Sequence, residues 1–373
     1  MSAPSPRTCA SCFVSDKFPA AAVTDDGRCS LCHSDTAPIN QRGRTTSNLA
    51  ELRRIADDLK AQRPGGPHCL VGASGGLDSS YLVYIARRVL GLTPLVLHYD
   101  HGFNNEVSQE NLRRMCRALD LELRIVRSPK SRDRKYVRST VRALRKVGLY
   151  WGVCSFCQFI VPAVIIKCAR EENVPVILTS SNGYEGRLRL TRRFKMGAML
   201  RGVRRAGLAN LPATALHLLI AQYHLLRLKL EFYTPPLSNL YDGHPRVPTD
   251  KMLNFTKYVP WDIDTMVETL QREVGWQPPA ASAALPMRFD CKIEEGLLNS
   301  TFQQATGTTV HGIICNNMIY DGVRTKDELR GVVEHYEEII EPRLNETMQQ
   351  LGLKPSQPAP AADNRSPRIS PTA

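Results

Sequence analysis

The sequence predicts a doubly wound α/β fold on a parallel sheet, with a small cysteine module in front and a mostly helical part behind. Three observations predict it. Short apolar runs alternate with amphipathic helical stretches, the signature of βαβ units with both sheet faces covered. Each apolar run closes on polar residues. The first closes on a glycine-rich turn that opens straight into a helix, in "LVGASGGLDSSYL" at Leu70–Leu82.

Taken in order, residues 1–35 form the cysteine module, and the polar stretch "DTAPINQRGRTTSN" links it to the helical pattern "NLAELRRIADDLKAQ". That helix stops at "RPGGP", as a Pro/Gly breaker requires. "HCLVGAS" reads as the first strand and "LDSSYLVYIARRVLG" as the helix after it. "TPLVLHYD" is a second buried strand, "SQENLRRMCRALDL" a helix and "ELRIVRS" a third strand. "SFCQFIVPAVIIKCAREENV" is a helix and "PVILTSS" a fourth strand. The α/β part is assigned to 48–185, and 186–345 reads as mostly helical and packed on the sheet. The tail 354–373, rich in Pro, Ser and Ala and without aromatics, is expected to be disordered.

The composition bounds the function class. With 373 residues, 42% of them hydrophobic, the chain has enough apolar content for a real core. The most apolar stretch, "LPATALHLLIAQYHLLRLKLEFY", is interrupted by Pro212, His217, Gln222, His224 and Arg227 and falls short of a membrane span. The start "MSAPSPRTCASC" has no charged segment followed by an apolar one, so no signal peptide is read and a cytoplasmic location is expected. The net charge of +13 is concentrated. Arg124–Lys146 carries ten Lys/Arg against one acid, and Arg187–Arg205 carries eight against none. Such stripes face an anion: a nucleotide, a nucleic acid, an anionic membrane or a phosphorylated substrate.

The loop at Ala73–Ser79 is the main chemical motif. Gly75 and Gly76 let backbone N–H groups approach a phosphate, and the helix N-terminus adds partial positive charge. Ser74 and Ser79 offer hydroxyl donors. Asp78 would repel phosphate alone and makes sense as a ligand for Mg²⁺ bridging to it. A tight strand-to-helix turn without a ligand is the plain alternative. The loop fits neither G-x-x-x-x-G-K-[ST] nor G-x-G-x-x-G.

The cysteines form two sets. Cys9-x-x-Cys12 and Cys29-x-x-Cys32 suit a tetrahedral Cys₄ zinc ribbon, with a redox pair or an iron site as alternatives. Cys154-x-x-Cys157 needs further ligands, Cys291 being the best third and Cys315 an outside candidate. An iron–sulfur cluster, a second zinc and inert thiols stay open there. Cys69, Cys116 and Cys168 read as core residues.

S-G-G-x-D-S after a first strand resembles the PP-loop ATP pyrophosphatases, which cleave ATP between its α and β phosphates and activate an oxygen of a second substrate as an adenylate. The resemblance implies that Asp78 and Ser74 act in catalysis. It implies that Ala73, Ser74, Gly75, Gly76, Asp78 and Ser79 hold ATP with Mg²⁺, and that Asp100, Ser181 and Asn182 reach the nucleotide, with His98 a weaker candidate. A wider set of stretches, in order, is similar to the N-acetyl sugar amidotransferases of bacterial surface-polysaccharide synthesis: "RTCASCFVSDKFPAAAVTDDGRCSLC", the loop, "YWGVCSFCQ", "LKLEFYTPPLSNLYD", "NFTKYVPWD", "GWQPP" and "RFDCKIEE". That resemblance spans residues 8–340. It implies ATP-dependent adenylation of the amide oxygen of an N-acetyl (nucleotide-)sugar. Ammonia from a separate glutaminase subunit then displaces AMP and leaves an acetamidino group.

One departure stands out. Leu77 occupies the position where the family carries a lysine, whose charge would sit beside the β and γ phosphates. The rival reading is a PP-loop tRNA sulfur transferase with a [4Fe–4S] cluster and a basic surface for a polyanion. Against it, only Tyr136 and Phe194 interleave the basic stripes. A third is a non-catalytic scaffold of the same fold.

Overall fold

The computed structural model describes residues 7–19, 21–33, 48–180, 192–232, 251–279 and 285–354. After a four-residue turn of helix α1 (Ser30–His33), the chain alternates. It runs α2 (Leu49–Gln62), β1 (Cys69–Gly72), α3 (Leu77–Tyr84), β2 (Pro94–Asp100), α4 (Glu106–Leu119) and β3 (Leu123–Arg127). There follow α5 (Arg132–Leu144), α6 (Ser155–Glu171), β4 (Ile177–Thr179), α7 (Arg192–Ala206), α8 (Leu211–Phe232) and β5 (Met252–Asn254). The rest is helical: α9 (Ile263–Val274), α10 (Asn299–Thr306), α11 (Val310–Tyr320), α12 (Lys326–Glu338) and α13 (Ile340–Gln350).

Among the described residues the strands form one five-stranded sheet in the order β3-β2-β1-β4-β5, and every neighbouring pair is parallel. β1 lies at the centre, and the order reverses between it and β4. In open parallel sheets the crevice outside the carboxyl ends at such a switch point is where ligands bind.

The period-2 alternation of strand side chains divides the core into two layers. Cys69 and Val71 of β1, Val96 of β2 and Leu178 of β4 belong to one, with α2, α3, α4 and α9. Leu70, Leu95, Leu97 and Ile177 belong to the other, with α5, α6 and α8. Helices therefore cover both faces, as a doubly wound fold requires.

The second part is mostly helical, as expected, with β5 as its one strand among the described residues. Met252–Asn254 adds the outer strand beside β4, so the sheet extends beyond residue 185. α5 is also more than a charge run. Tyr136, Val137, Val141 and Leu144 bury one face while the basic residues occupy the other. The tail from 355 onward lies outside the described residues.

Candidate functional site

The glycine loop sits at the carboxyl end of β1. The Ala73 amide donates to the Leu97 carbonyl at 2.9 Å, which extends the β1–β2 ladder one residue into the loop. Gly75 then takes φ +85°, and a Cβ there would stand 1.9 Å from the Ser108 carbonyl oxygen of α4. A residue with a side chain is excluded on both counts. Gly76 caps α3, with Asp78 in its first turn. Along the loop Ala73, Gly75 and Leu77 are buried, whereas Ser74, Gly76, Asp78 and Ser79 stay half-exposed. The polar groups thus share the accessible side. Ser74 Oγ and Ser79 Oγ lie 3.4 Å apart, and the Gly76 amide donates to Ser74 Oγ at 3.3 Å.

Leu77 points the other way. At 3% exposure it belongs to the core layer beneath the loop, so hydrophobic packing accounts for its side chain.

Three segments distant in sequence build the walls. The Trp261 indole N–H donates to Asp78 Oδ1 at 2.6 Å, and the Trp276 indole N–H donates to the Gly75 carbonyl at 3.0 Å. Trp276 is fully buried, and Gln277 beside it exchanges two hydrogen bonds with Asn111 of α4, at 2.7 and 2.8 Å. Asp290 lies next to Gly76, its carboxyl carbon 3.9 Å from where a Gly76 Cβ would stand. Its carbonyl accepts from the Asn105 amide at 3.0 Å, and the Lys292 amide donates to the Phe103 carbonyl at 2.9 Å. Buried Lys292 clasps Glu106 and Glu346, tying the start of α4 to α13. The stretches "VPWD", "GWQPP" and "RFDCKIEE" therefore converge on the glycine loop. Sequence reasoning quoted all three and gave none of these residues a role there. Indoles and a carboxylate in otherwise apolar, Pro-rich surroundings were the available signal.

Asp100 ends β2, where it was expected, and it is heavily engaged. Its carboxylate accepts from the Gly102 amide and Asn104 Nδ2, both at 3.0 Å, and from Arg127 Nε at 2.9 Å. Burial raises its pKa, but the Gly102 amide and the Arg127 guanidinium outweigh that and hold the carboxyl below the usual range. Asp100, His101, Arg127, Asp133 and Arg134 line a polar cavity of about 420 Å³ beyond the ends of β2 and β3. His98, buried within β2, meets the Ala73 carbonyl through Nδ1 at 2.9 Å, which requires the proton on Nδ1. Burial lowers its pKa, so the ring is neutral at pH 7. It joins the two loop-bearing strands at the site. Ser181 and Asn182 lie outside the described residues.

The N-terminal cysteines are drawn together. The four sulfurs of Cys9, Cys12, Cys29 and Cys32 lie within 4.8 Å of one another, a group that can hold a metal ion. Cys9–Cys32 and Cys12–Cys29 are 3.8 and 3.7 Å apart, matching the edge of about 3.8 Å of a tetrahedron with Zn–S bonds of about 2.3 Å. The Cys29 amide donates to Cys9 Sγ at 3.2 Å and the Val14 amide to Cys12 Sγ at 3.5 Å, the outer-shell support that thiolates need. A hydrogen bond from Cys32 pulls the Cys12 thiol down to about 5 against its burial, with Tyr320 and the Val14 amide adding to the effect. The ribbon packs on α11 and α12. The Phe13 amide reaches Asn316 Oδ1 at 2.7 Å, and Lys326 Nζ caps the Cys9 carbonyl at 2.8 Å.

The second cysteine set is arranged differently. Cys154, Cys157 and Cys291 pack against the same core layer, and each thiol is raised by burial, with the neighbouring cysteines adding to it for Cys154 and Cys157. Among the described residues the ribbon is the one group gathered within 4.8 Å, so these three are not set around a single tetrahedral ion. Cys291 pairs its backbone with Asn104, beside the glycine-loop site. Cys315 is fully buried in the opposite core layer and is not a fourth member. Cys69, Cys116 and Cys168 are core residues, as expected.

No family model and no curated protein matches the chain. Among solved structures, an NH₃-dependent NAD synthetase from Campylobacter jejuni subsp. jejuni is 14% identical, covering 50% of this chain and 98% of its own, with a TM-score of 0.27. An NAD⁺ synthetase from Burkholderia pseudomallei is 16% identical over 65% of this chain and 91% of its own, with a TM-score of 0.24. Likeness at that level carries no argument, and the functional reading rests on this chain's own residues.

Proposed function

We propose that the chain is a PP-loop enzyme that uses ATP to adenylate the amide oxygen of an N-acetyl (nucleotide-)sugar and replaces that oxygen with nitrogen from ammonia. The observation that carries the nucleotide half is Gly75. Its φ of +85° and the carbonyl 1.9 Å from its absent Cβ mark a backbone held tightly at the sheet's switch point, at the N-terminus of α3. Backbone amides and a helix N-terminus there favour phosphate. The half-exposed hydroxyls of Ser74 and Ser79 supply further donors on the same side.

In this reading the loop and α3 stabilise negative charge on the departing pyrophosphate. Asp78, whose Oδ1 accepts from Trp261, is the loop carboxylate that would hold a Mg²⁺ neutralising phosphate charge. An amide oxygen leaves poorly and AMP leaves well, so adenylation lowers the barrier to nitrogen entry. The cavity edged by Arg127 and Arg134 suits a polar, anionic second substrate. The ammonia would come from a separate glutaminase subunit. The ribbon would hold structural Zn²⁺.

A second reading, the tRNA sulfur transferase, draws on the neighbouring Cys154, Cys157 and Cys291 beside the same site. Their spacing beyond single-ion distance leaves room for a multi-iron cluster. Pyrophosphate release from ATP with ammonium and a panel of N-acetyl nucleotide sugars, run against bulk tRNA, separates the two. Stimulation by a sugar is expected; stimulation by tRNA alone overturns the sugar substrate. Anaerobically purified protein that is colourless and carries zinc alone removes the cluster.

A further inference from the structure

Helix α8, which follows α7 in the chain, presents a surface that the nucleotide site does not use. α8 buries Ala221, Leu225, Leu228 and Phe232 against α5 and α6. Its opposite side is also apolar. Leu216, Leu219, Tyr223, Leu226 and Leu230 recur at steps of three or four residues and are all exposed, Leu219 at 68%. From Leu216 to Leu230 the row runs about 21 Å along one helix. Met196 and Leu200, one turn apart on α7, are exposed as well, Leu200 at 58%. Scattered apolar residues on a surface are ordinary, but a continuous row of this length is not.

The charge around the row is one-sided. Arg201, Arg204 and Arg205 are exposed on α7, and Arg227 on α8. The neighbour α5 exposes Lys135, Arg138 and Arg142, and its one acid, Asp133, is buried. Lys135 and Arg132 act electrostatically on His224, which places them beside α8. Between 192 and 232 the sequence holds a single acid, Glu231. No helix among the described residues is long and apolar enough to cross a membrane. A helix with an exposed apolar row and basic flanks instead lies in the plane of the headgroups, its apolar side in the acyl boundary and its cations on anionic lipid.

We infer that the exposed face of α8 is a docking surface for an anionic phospholipid membrane. The inference is independent of the sugar reading and of catalysis. It places the exposed face of α8 against the bilayer.

The test is sedimentation of the full chain with phosphatidylcholine vesicles, with and without 30 mol% phosphatidylglycerol. The protein is expected to partition at least tenfold more strongly onto the anionic vesicles and to be released by 0.5 M NaCl. The double variant Leu219→Ser/Leu226→Ser changes only exposed positions, so it should keep its unfolding temperature while its partition coefficient falls at least tenfold. A Leu219→Trp variant should gain fluorescence that lipids with brominated acyl chains quench. Equal binding to neutral vesicles, or binding unchanged in the double variant, overturns the inference. So does a particle of twice the mass without vesicles that the double variant returns to single size, because a second copy then covers the row.

Discussion

The ribbon and the glycine loop both lean on the carboxyl-terminal half of the chain, and they use it in opposite ways. The ribbon's four sulfurs face one another, and its contacts with Asn316, Tyr320 and Lys326 dock a finished unit onto α11 and α12. The loop is unfinished without its remote partners. Trp261 and Trp276 reach it from 183 and 201 residues away, and Asp290 closes its edge. A self-contained site of this kind serves the fold, whereas a site assembled from distant segments can change its polar side without losing its support. Mutations in the two regions should therefore fail in different ways.

The largest effect is expected at the ribbon. Cys12→Ser should remove most of the zinc proposed for the ribbon and cost about 5 kcal/mol or more, because metal binding in such a segment is folding energy. Metal content by mass spectrometry and urea unfolding check it. Retention of both would make the ribbon a passive cysteine cluster and erase the contrast. Next comes Trp276→Ala, which removes a fully buried indole and the N–H on Gly75 together. It should cost about 3–5 kcal/mol and also weaken nucleotide binding. Trp276→Phe should keep most of the stability, losing about 1–3 kcal/mol for the unpaired Gly75 carbonyl. Equal losses in the two variants would mean that the indole N–H, and not its bulk, holds the loop.

A smaller effect separates the regions by titration. Asp133, in the cavity wall, is pushed up to about 6, mainly by burial. The folded state thus binds its proton more tightly than the unfolded chain does. This contribution to stability is full below about pH 4 and is lost as pH rises through about 6. Asp133→Asn should remove that fall, about 2–3 kcal/mol between pH 4 and pH 7 by urea unfolding. A slope unchanged in this variant would place the titration elsewhere.

How much of this was legible in the sequence differs by element. β2 stands at Pro94–Asp100, where the apolar run "PLVLHYD" put it, because a strand buried on both faces must be apolar throughout. β5 is three residues long at a sheet edge, too short to carry a pattern. α5 was hidden by its four arginines and Lys135, which occupy every position that its buried face does not need. The loop was legible, and so was the oddity of Leu77; that its side chain enters the core is a matter of packing that no local motif states. The partners of the loop were not legible as partners, since no spacing rule links Trp261 to Asp78 across 183 residues. The two cysteine sets share the C-x-x-C spelling, and only the fold distinguishes the set that closes from the one that does not.

The central claim is that the loop is a nucleotide site run by Asp78. Its most direct test is ATP-dependent pyrophosphate release by Asp78→Ala beside the unaltered chain, with unfolding measured on both. The expected result is a loss of at least about 10³-fold in turnover with the fold intact. Pyrophosphate release that survives in a folded Asp78→Ala protein would contradict it.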